Sequence, residues 1–173
     1  MNEHQIDESG RVVAAWHQER PDLDISPMLV FSRLSRLSRY FDFQRRRAFA
    51  EHGLEPWEFD VLASLRRAGE PYTATPGVLM NDMLVSSGAM TNRIDRLETK
   101  GLVKRYPSPE DRRAVLVQLT DAGMLSVDAA LESLLEVESG LLGQLPPGQR
   151  TALADLLQPL LRVFETAEDE KRG

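Results

Sequence analysis

Apolar and polar residues alternate along this chain mostly with a helical period, broken once by a short block of period two. Residues 6–20 have helical character, with Val12, Val13 and Trp16 as a short apolar patch. Arg20-Pro21-Asp22-Leu23-Asp24 ends that pattern, because proline disfavours helix in the residue before it. A second helix is predicted after Ser26-Pro27. Its Val30, Leu34, Leu37 and Phe41 form a seam suited to packing along another helix, while Arg33, Arg36, Arg39 and Arg45-Arg46-Arg47 line the other faces. Glu51-His52-Gly53 ends this helix, and Pro56 starts a third with Trp57, Val61, Leu62 and Leu65 turned inward.

The middle of the chain carries the sharpest pattern. Thr75-Pro76 is a capped start for a short helix through Leu84, and Val85-Ser86-Ser87-Gly88 supplies a turn and the cap of the next helix, which Gly101 stops. At about 100° per residue, Met90, Ile94 and Leu97 of that helix share one narrow stripe that must face a core. Asn92, Asp95, Arg96 and Thr99 point the opposite way. An outward face of Asn, Arg and Thr suits DNA: Arg pairs in a bidentate way with guanine, Asn with adenine, and Thr with backbone or a thymine methyl. Two short helices joined by a tight turn, the second polar outside, form the helix-turn-helix pattern.

After Gly101 the period switches to that of strands, over Leu102-Val103-Lys104-Arg105-Tyr106 and Ala114-Val115-Leu116-Val117-Gln118-Leu119. The turn-rich Pro107-Ser108-Pro109-Glu110-Asp111-Arg112-Arg113 between them puts adjacent arginines at a hairpin tip. A hairpin behind a helix-turn-helix is a winged helix, and its Arg112 is offered to a minor groove or a phosphate. The last third returns to helix. Thr120 can cap a segment to about Leu142 with Leu131, Leu134, Leu135 and Leu142 on its apolar side. Leu145-Pro146-Pro147 breaks it, and a final helix carries Leu153, Leu156, Leu157, Leu160 and Phe164, with Pro159 expected to kink or interrupt it. Two such apolar helices need a cover, which the first two helices and the same region of a second subunit would supply.

Composition narrows the function. The chain has 173 residues and no cysteine, which excludes disulfides, thiolate metal sites, cysteine nucleophiles and thiol redox sensing. His4, His17 and His52 lie far apart without ligand spacing, so no metal and no cofactor is expected. The polar, acidic N-terminus argues against a signal peptide, and no apolar run approaches the roughly 20 residues of a membrane span, so a soluble cytoplasmic protein is expected. No nucleophile–base pairing or phosphate-binding glycine loop marks an enzyme. The net charge of −6 is uneven: residues 1–25 carry −4, residues 26–120 carry +4 and residues 121–173 carry −6. Positive charge is concentrated around the helix-turn-helix, and DNA affinity follows the local basic face. A winged helix used only for protein–protein assembly is the alternative reading. The exposed Asn92, Arg96 and Arg112 weigh against it, because interface cores exclude charge.

Several segments together resemble the MarR (multiple antibiotic resistance regulator) family of winged-helix transcription factors. They are Trp57-Glu58-Phe59-Asp60-Val61-Leu62, the stretch from Ser86 to Glu98, Gly101-Leu102-Val103, and the stretch from Asp111 to Thr120, within a match spanning roughly residues 27–145. The resemblance implies a mainly α fold with a small β-wing. N- and C-terminal dimerisation helices (1–52 and 121–173) would flank a DNA-binding domain (53–120). It further implies a homodimer on a pseudo-palindromic operator in double-stranded DNA, with repression relieved by a small anionic or phenolic effector. Ser86, Ser87, Thr91, Asn92, Arg96, Arg112 and Arg113 are the expected DNA-binding residues. In the family pattern Asp111 and Arg113 also pair to shape the wing, leaving Arg112 free. The chain is similar, too, to the urate-responsive branch, which has an extra N-terminal helix. That likeness assigns a ligand site to Trp16, Asp60, Arg93 and Arg105, with urate or another small anion such as a tricarboxylic acid as the ligand. Two guanidiniums can hold a planar anion while an indole covers its face.

Overall fold

A computed structural model of the chain describes residues 6–109 and 114–170, with side chains as far as residue 164. The elements follow in the order α1 (Glu8–Glu19), α2 (Pro27–Ala50), α3 (Pro56–Arg67), β1 (Thr73–Ala74), α4 (Pro76–Met83), α5 (Ser87–Thr99), β2 (Val103–Pro107), β3 (Val115–Leu119), α6 (Asp121–Leu142) and α7 (Pro147–Glu170). Proline sets four of the starts, at α2, α3, α4 and α7. Its missing N–H has no intrahelical partner to lose in a first turn, and its fixed φ is already helical. Side chains cap three others. The Asp7 carboxylate accepts from the Gly10 amide at α1, the Ser86 hydroxyl from Ala89 at α5, and the Thr120 hydroxyl from Gly123 at α6. The fold is mainly helical with a small wing, as the sequence pattern predicts.

The wing has one strand more than expected. β1 joins β3 antiparallel (Thr73 opposite Gln118, Ala74 opposite Val117), so the sheet order is β1-β3-β2. On its other edge β3 pairs with β2 from Val103–Leu119 to Pro107–Val115. Two residues are too few to show a period, and this is why the strand is silent in the sequence.

Contacts divide the chain into two compact units, residues 1–130 and 131–173. In the first unit the core gathers Phe49 from α2, Val61, Leu62 and Leu65 from α3, Leu79 from α4, Met90, Ile94 and Leu97 from α5, and Val103 and Val117 from the sheet. The predicted stripe of α5 is therefore fully inward. Phe49 stacks on Phe59 with ring centroids 4.1 Å apart, and Arg66 of α3 pairs with Asp128 of α6 at 3.0 Å. Gly123 is required where α6 passes the end of α5. A Cβ there would lie 2.1 Å from the Leu102 carbonyl oxygen.

Two expectations need correcting. Trp57 is only half-buried, and the neighbour that enters the core is the charged Glu58, at 0% exposure. Of the α2 seam, Leu34 and Phe41 are half-buried while Val30 and Leu37 stand exposed. In the second unit, α7 runs on through Pro159 without interruption. That stretch is exposed, so water can satisfy the Asp155 carbonyl that the proline leaves without an amide partner.

Candidate nucleic-acid interface and effector site

α5 presents its outer face by the same geometry that buries its stripe. Ser86, Ser87, Thr91, Asn92 and Arg96 are all exposed. Ser86 spends its hydroxyl acceptor on the helix cap at 3.3 Å from the Ala89 amide. Thr91 donates its hydroxyl proton to the Ser87 carbonyl at 2.9 Å, which leaves its methyl group and oxygen lone pairs outward. Helix N-termini carry unpaired amides and the positive end of the dipole, both favourable to a phosphate. The wing-tip residues Asp111, Arg112 and Arg113 lie outside the described residues.

Arg96 is less free than the helical wheel suggests. Its guanidinium carbon lies 4.8 Å from the centre of the Trp57 ring, and one of its nitrogens donates to Glu55 at 3.1 Å. Trp57 in turn donates its indole N–H to the other Glu55 oxygen at 2.6 Å. Held by that indole N–H first, with the charges of Arg96 and Lys100 adding to it, the Glu55 carboxyl titrates below its ordinary range. One turn further, Lys100 donates to the buried Glu58 carboxylate at 2.6 Å and to the Gly53 carbonyl at 3.2 Å. The same Glu58 oxygen accepts the Glu55 amide at 2.9 Å, while its other oxygen is buried without a partner. The N-terminus of α3 thus grips the C-terminal half of the recognition helix.

Of the four residues expected to hold an effector, three have separate partners. Asp60 accepts from Arg45 at 3.2 Å, and Arg45 lies over Phe49. Arg93, half-buried at the edge of the stripe, lies 5.6 Å from the Trp57 ring centre. Arg105 of β2 is clamped to α5. Its guanidinium bonds Glu98 at 3.0 Å, Asp95, and the Thr91 carbonyl at 3.3 Å, while its own amide donates to Glu98 at 3.0 Å. Trp16 is half-exposed on α1. No hydrogen bond or ion pair among the described residues joins any two of these four. A separate cleft of about 860 Å³ between α1 and α2, bounded by Val13, His17, Leu29 and Arg33, is lined by none of them.

Sequence reasoning missed Glu55, Glu58, Asp95, Glu98, Lys100 and the role of Trp57. One signal was available: a glutamate three residues after the residue that precedes a helix-starting proline reads as a capping carboxylate, and that is Glu58. The others depend on which long side chains meet across two helices.

The polar recognition helix and its wing have close counterparts. The MarR family profile matches residues 52–114, from the start of α3 to the wing. The HTH-type transcriptional regulator PecS of Dickeya dadantii is 40% identical over 146 residues, covering 84% of this chain and 88% of its own. The HTH-type transcriptional repressor NicR of Pseudomonas putida is 29% identical over 150 residues, covering 84% and 92%. A mutant MarR from E. coli solved in complex with operator DNA superposes with a TM-score of 0.65 at 28% identity, over 80% of this chain and 99% of that one. These relatives are transcriptional regulators and not enzymes. Within the described residues no helix is long and apolar enough to cross a membrane. With its winged helix, its exposed Asn92 face and these relatives in agreement, the chain belongs to the MarR family of DNA-binding transcriptional regulators.

Proposed function

We propose that the protein is a homodimeric repressor that binds a pseudo-palindromic operator through α5 and the wing and is released by a small anionic effector, with urate or a related metabolite as the first candidate. The observation that carries the DNA-reading half is the α5 surface. Ser87 and Asn92 are exposed, and their side chains make no hydrogen bond to another described residue, as a helix waiting for base edges and phosphates requires. Ser86, Thr91 and Arg96 flank them, and the family resemblance assigns the same role to Arg112 and Arg113. The relative NicR is named a repressor and the E. coli MarR structure contains operator DNA, and both support the reading.

The effector half rests on Arg105. It is the cross-brace between wing and recognition helix, held by Asp95 and Glu98. An anion that draws Arg105 and Arg93 toward itself, with Trp16 covering its face and Asp60 accepting a hydrogen bond from it, takes the brace away from α5. Effector binding then favours a conformation with lower operator affinity. The dimer rests on the uncovered apolar faces of α2 and α7.

A fluorescence-anisotropy titration of the full chain against its own upstream intergenic DNA tests this, with scrambled duplex as competitor and urate added afterwards. Sequence-selective binding reversed by urate is the expected result. Binding no tighter than to scrambled DNA overturns the DNA reading, and selective binding indifferent to urate overturns the ligand assignment alone.

A further inference from the structure

Two arginines three residues apart on α5 converge on one indole. Arg96 lies 4.8 Å and Arg93 5.6 Å from the centre of the Trp57 ring, both inside the range of a cation–π contact. The indole N–H is itself bonded to Glu55, and Glu55 pairs with Arg96. Trp57, Glu55 and Arg96 therefore form a closed triangle at the edge of the exposed α5 face. Arg96 is one helical turn from Asn92 and shares its side of the helix, so a groove that receives Asn92 runs past this triangle.

A guanidinium laid on an aromatic ring loses little further freedom when its edge N–H groups bind a phosphate, and it is more weakly hydrated than an ammonium. The Glu55 carboxylate already supplies such an edge with an anionic oxygen. We propose that Trp57 is a positioning residue for operator binding. Its indole holds the Arg96 guanidinium ready at the DNA face, and Glu55 occupies in the free protein the place that a DNA phosphate takes in the complex. The inference rests on the proposal that α5 faces operator DNA. It assigns Arg96 to the backbone, where it fixes register, and leaves sequence reading to Asn92 and its neighbours.

A double-mutant cycle on operator affinity tests it, measured with the full chain by anisotropy over a salt series, with thermal melts of each variant alongside. Trp57→Leu weakens binding about 2–5-fold, the worth of an exposed cation–π contact, whereas Trp57→Phe, which keeps a ring, restores most of it. In an Arg96→Ala background Trp57→Leu changes affinity by less than about 1.5-fold, because the group it positions is gone. Arg96→Ala lowers the slope of log K against log salt by about one, the signature of one lost phosphate contact. Glu55→Gln tightens binding about 2–5-fold, since the competing charge is removed and an acceptor remains for the indole. An equal loss from Trp57→Leu in both backgrounds identifies a merely structural tryptophan and overturns the proposal, as does a Glu55→Gln variant that binds no tighter than the parent. Should Trp57→Leu fail to fold, Glu55→Gln and Trp57→Phe still decide the matter. A parent chain with no selective binding sinks the DNA reading itself, whereas selective binding with zero Trp57–Arg96 coupling sinks only this inference.

Discussion

In the winged-helix region, Val61, Leu62, Leu65, Leu97 and Val117 all lie at 0% exposure, drawn from two helices and a strand. In the long helices at either end, side chains of the same kind stand open, with Leu37 of α2 at 62% and Leu156 of α7 at 69%. Composition does not separate the two regions; closure does. The winged helix turns its stripes toward each other through short connections and a three-stranded sheet, whereas α2 and α7 each carry large apolar side chains that stand exposed among the described residues. Exposed apolar surface of that extent marks an interaction site. On the dimer proposed above, the difference separates a part of the protein that packs its own core from a part whose apolar faces a second copy would cover.

The largest effects should come from the closed region. Leu62→Ala removes a fully buried side chain and should cost about 2–5 kcal/mol of stability by denaturant unfolding, whereas Leu156→Ala should change the stability of the dissociated chain by less than about 0.5 kcal/mol. Gly123→Ala places a Cβ against the Leu102 backbone and should cost about 1–3 kcal/mol or more, since backbone must shift. The reverse order in the first comparison would abolish the contrast between the regions. Lys100→Met follows. It leaves the buried Glu58 carboxylate without its cation, and because Lys100 itself is part-exposed the cost should be about 1–3 kcal/mol, below that of a fully buried pair. Below it comes Arg45→Ala, which opens the part-exposed pair with Asp60 and should cost no more than about 1 kcal/mol.

Acid sharpens the picture. Arg33 holds Asp7 below its ordinary pKa, and the Trp57 indole with Arg96 does so for Glu55. A carboxylate whose folded pKa is depressed adds stability that is present above its unfolded pKa and lost as pH falls through the folded one. Unfolding midpoints should therefore hold from neutral pH to about pH 5 and decline below about pH 4, where these groups take up protons. Asp7→Asn should flatten that decline, and a midpoint that falls equally in parent and variant would remove Asp7 from the account.

Much of the fold was legible because it depends on period and punctuation. The stripe of Met90, Ile94 and Leu97, the proline starts, the Ser86 and Thr120 caps and the alternation of β3 each carry their own physical signature over a few neighbouring residues. What was illegible depends on meetings between elements. β1 exists only because β3 passes beside it. Glu58 is buried with one carboxylate oxygen bonded to Lys100 and to the Glu55 amide, although charge alone would put it outside. The wheel gave the direction of Arg96 correctly, but not that its long side chain would lie back over Trp57. The effector residues are the clearest case. Family resemblance picks out Trp16, Asp60, Arg93 and Arg105, while the structure gives Asp60, Arg93 and Arg105 separate partners and leaves Trp16 half-exposed on α1.

The most direct test of the central contrast is the stoichiometry of the complex, measured by sedimentation of the full chain with an operator duplex. Two chains per duplex are predicted, falling to weak or absent binding when Leu37→Glu and Leu156→Glu are combined to charge the open faces of α2 and α7. One chain per duplex at undiminished affinity, or a doubly charged variant that binds as the parent does, would contradict the account.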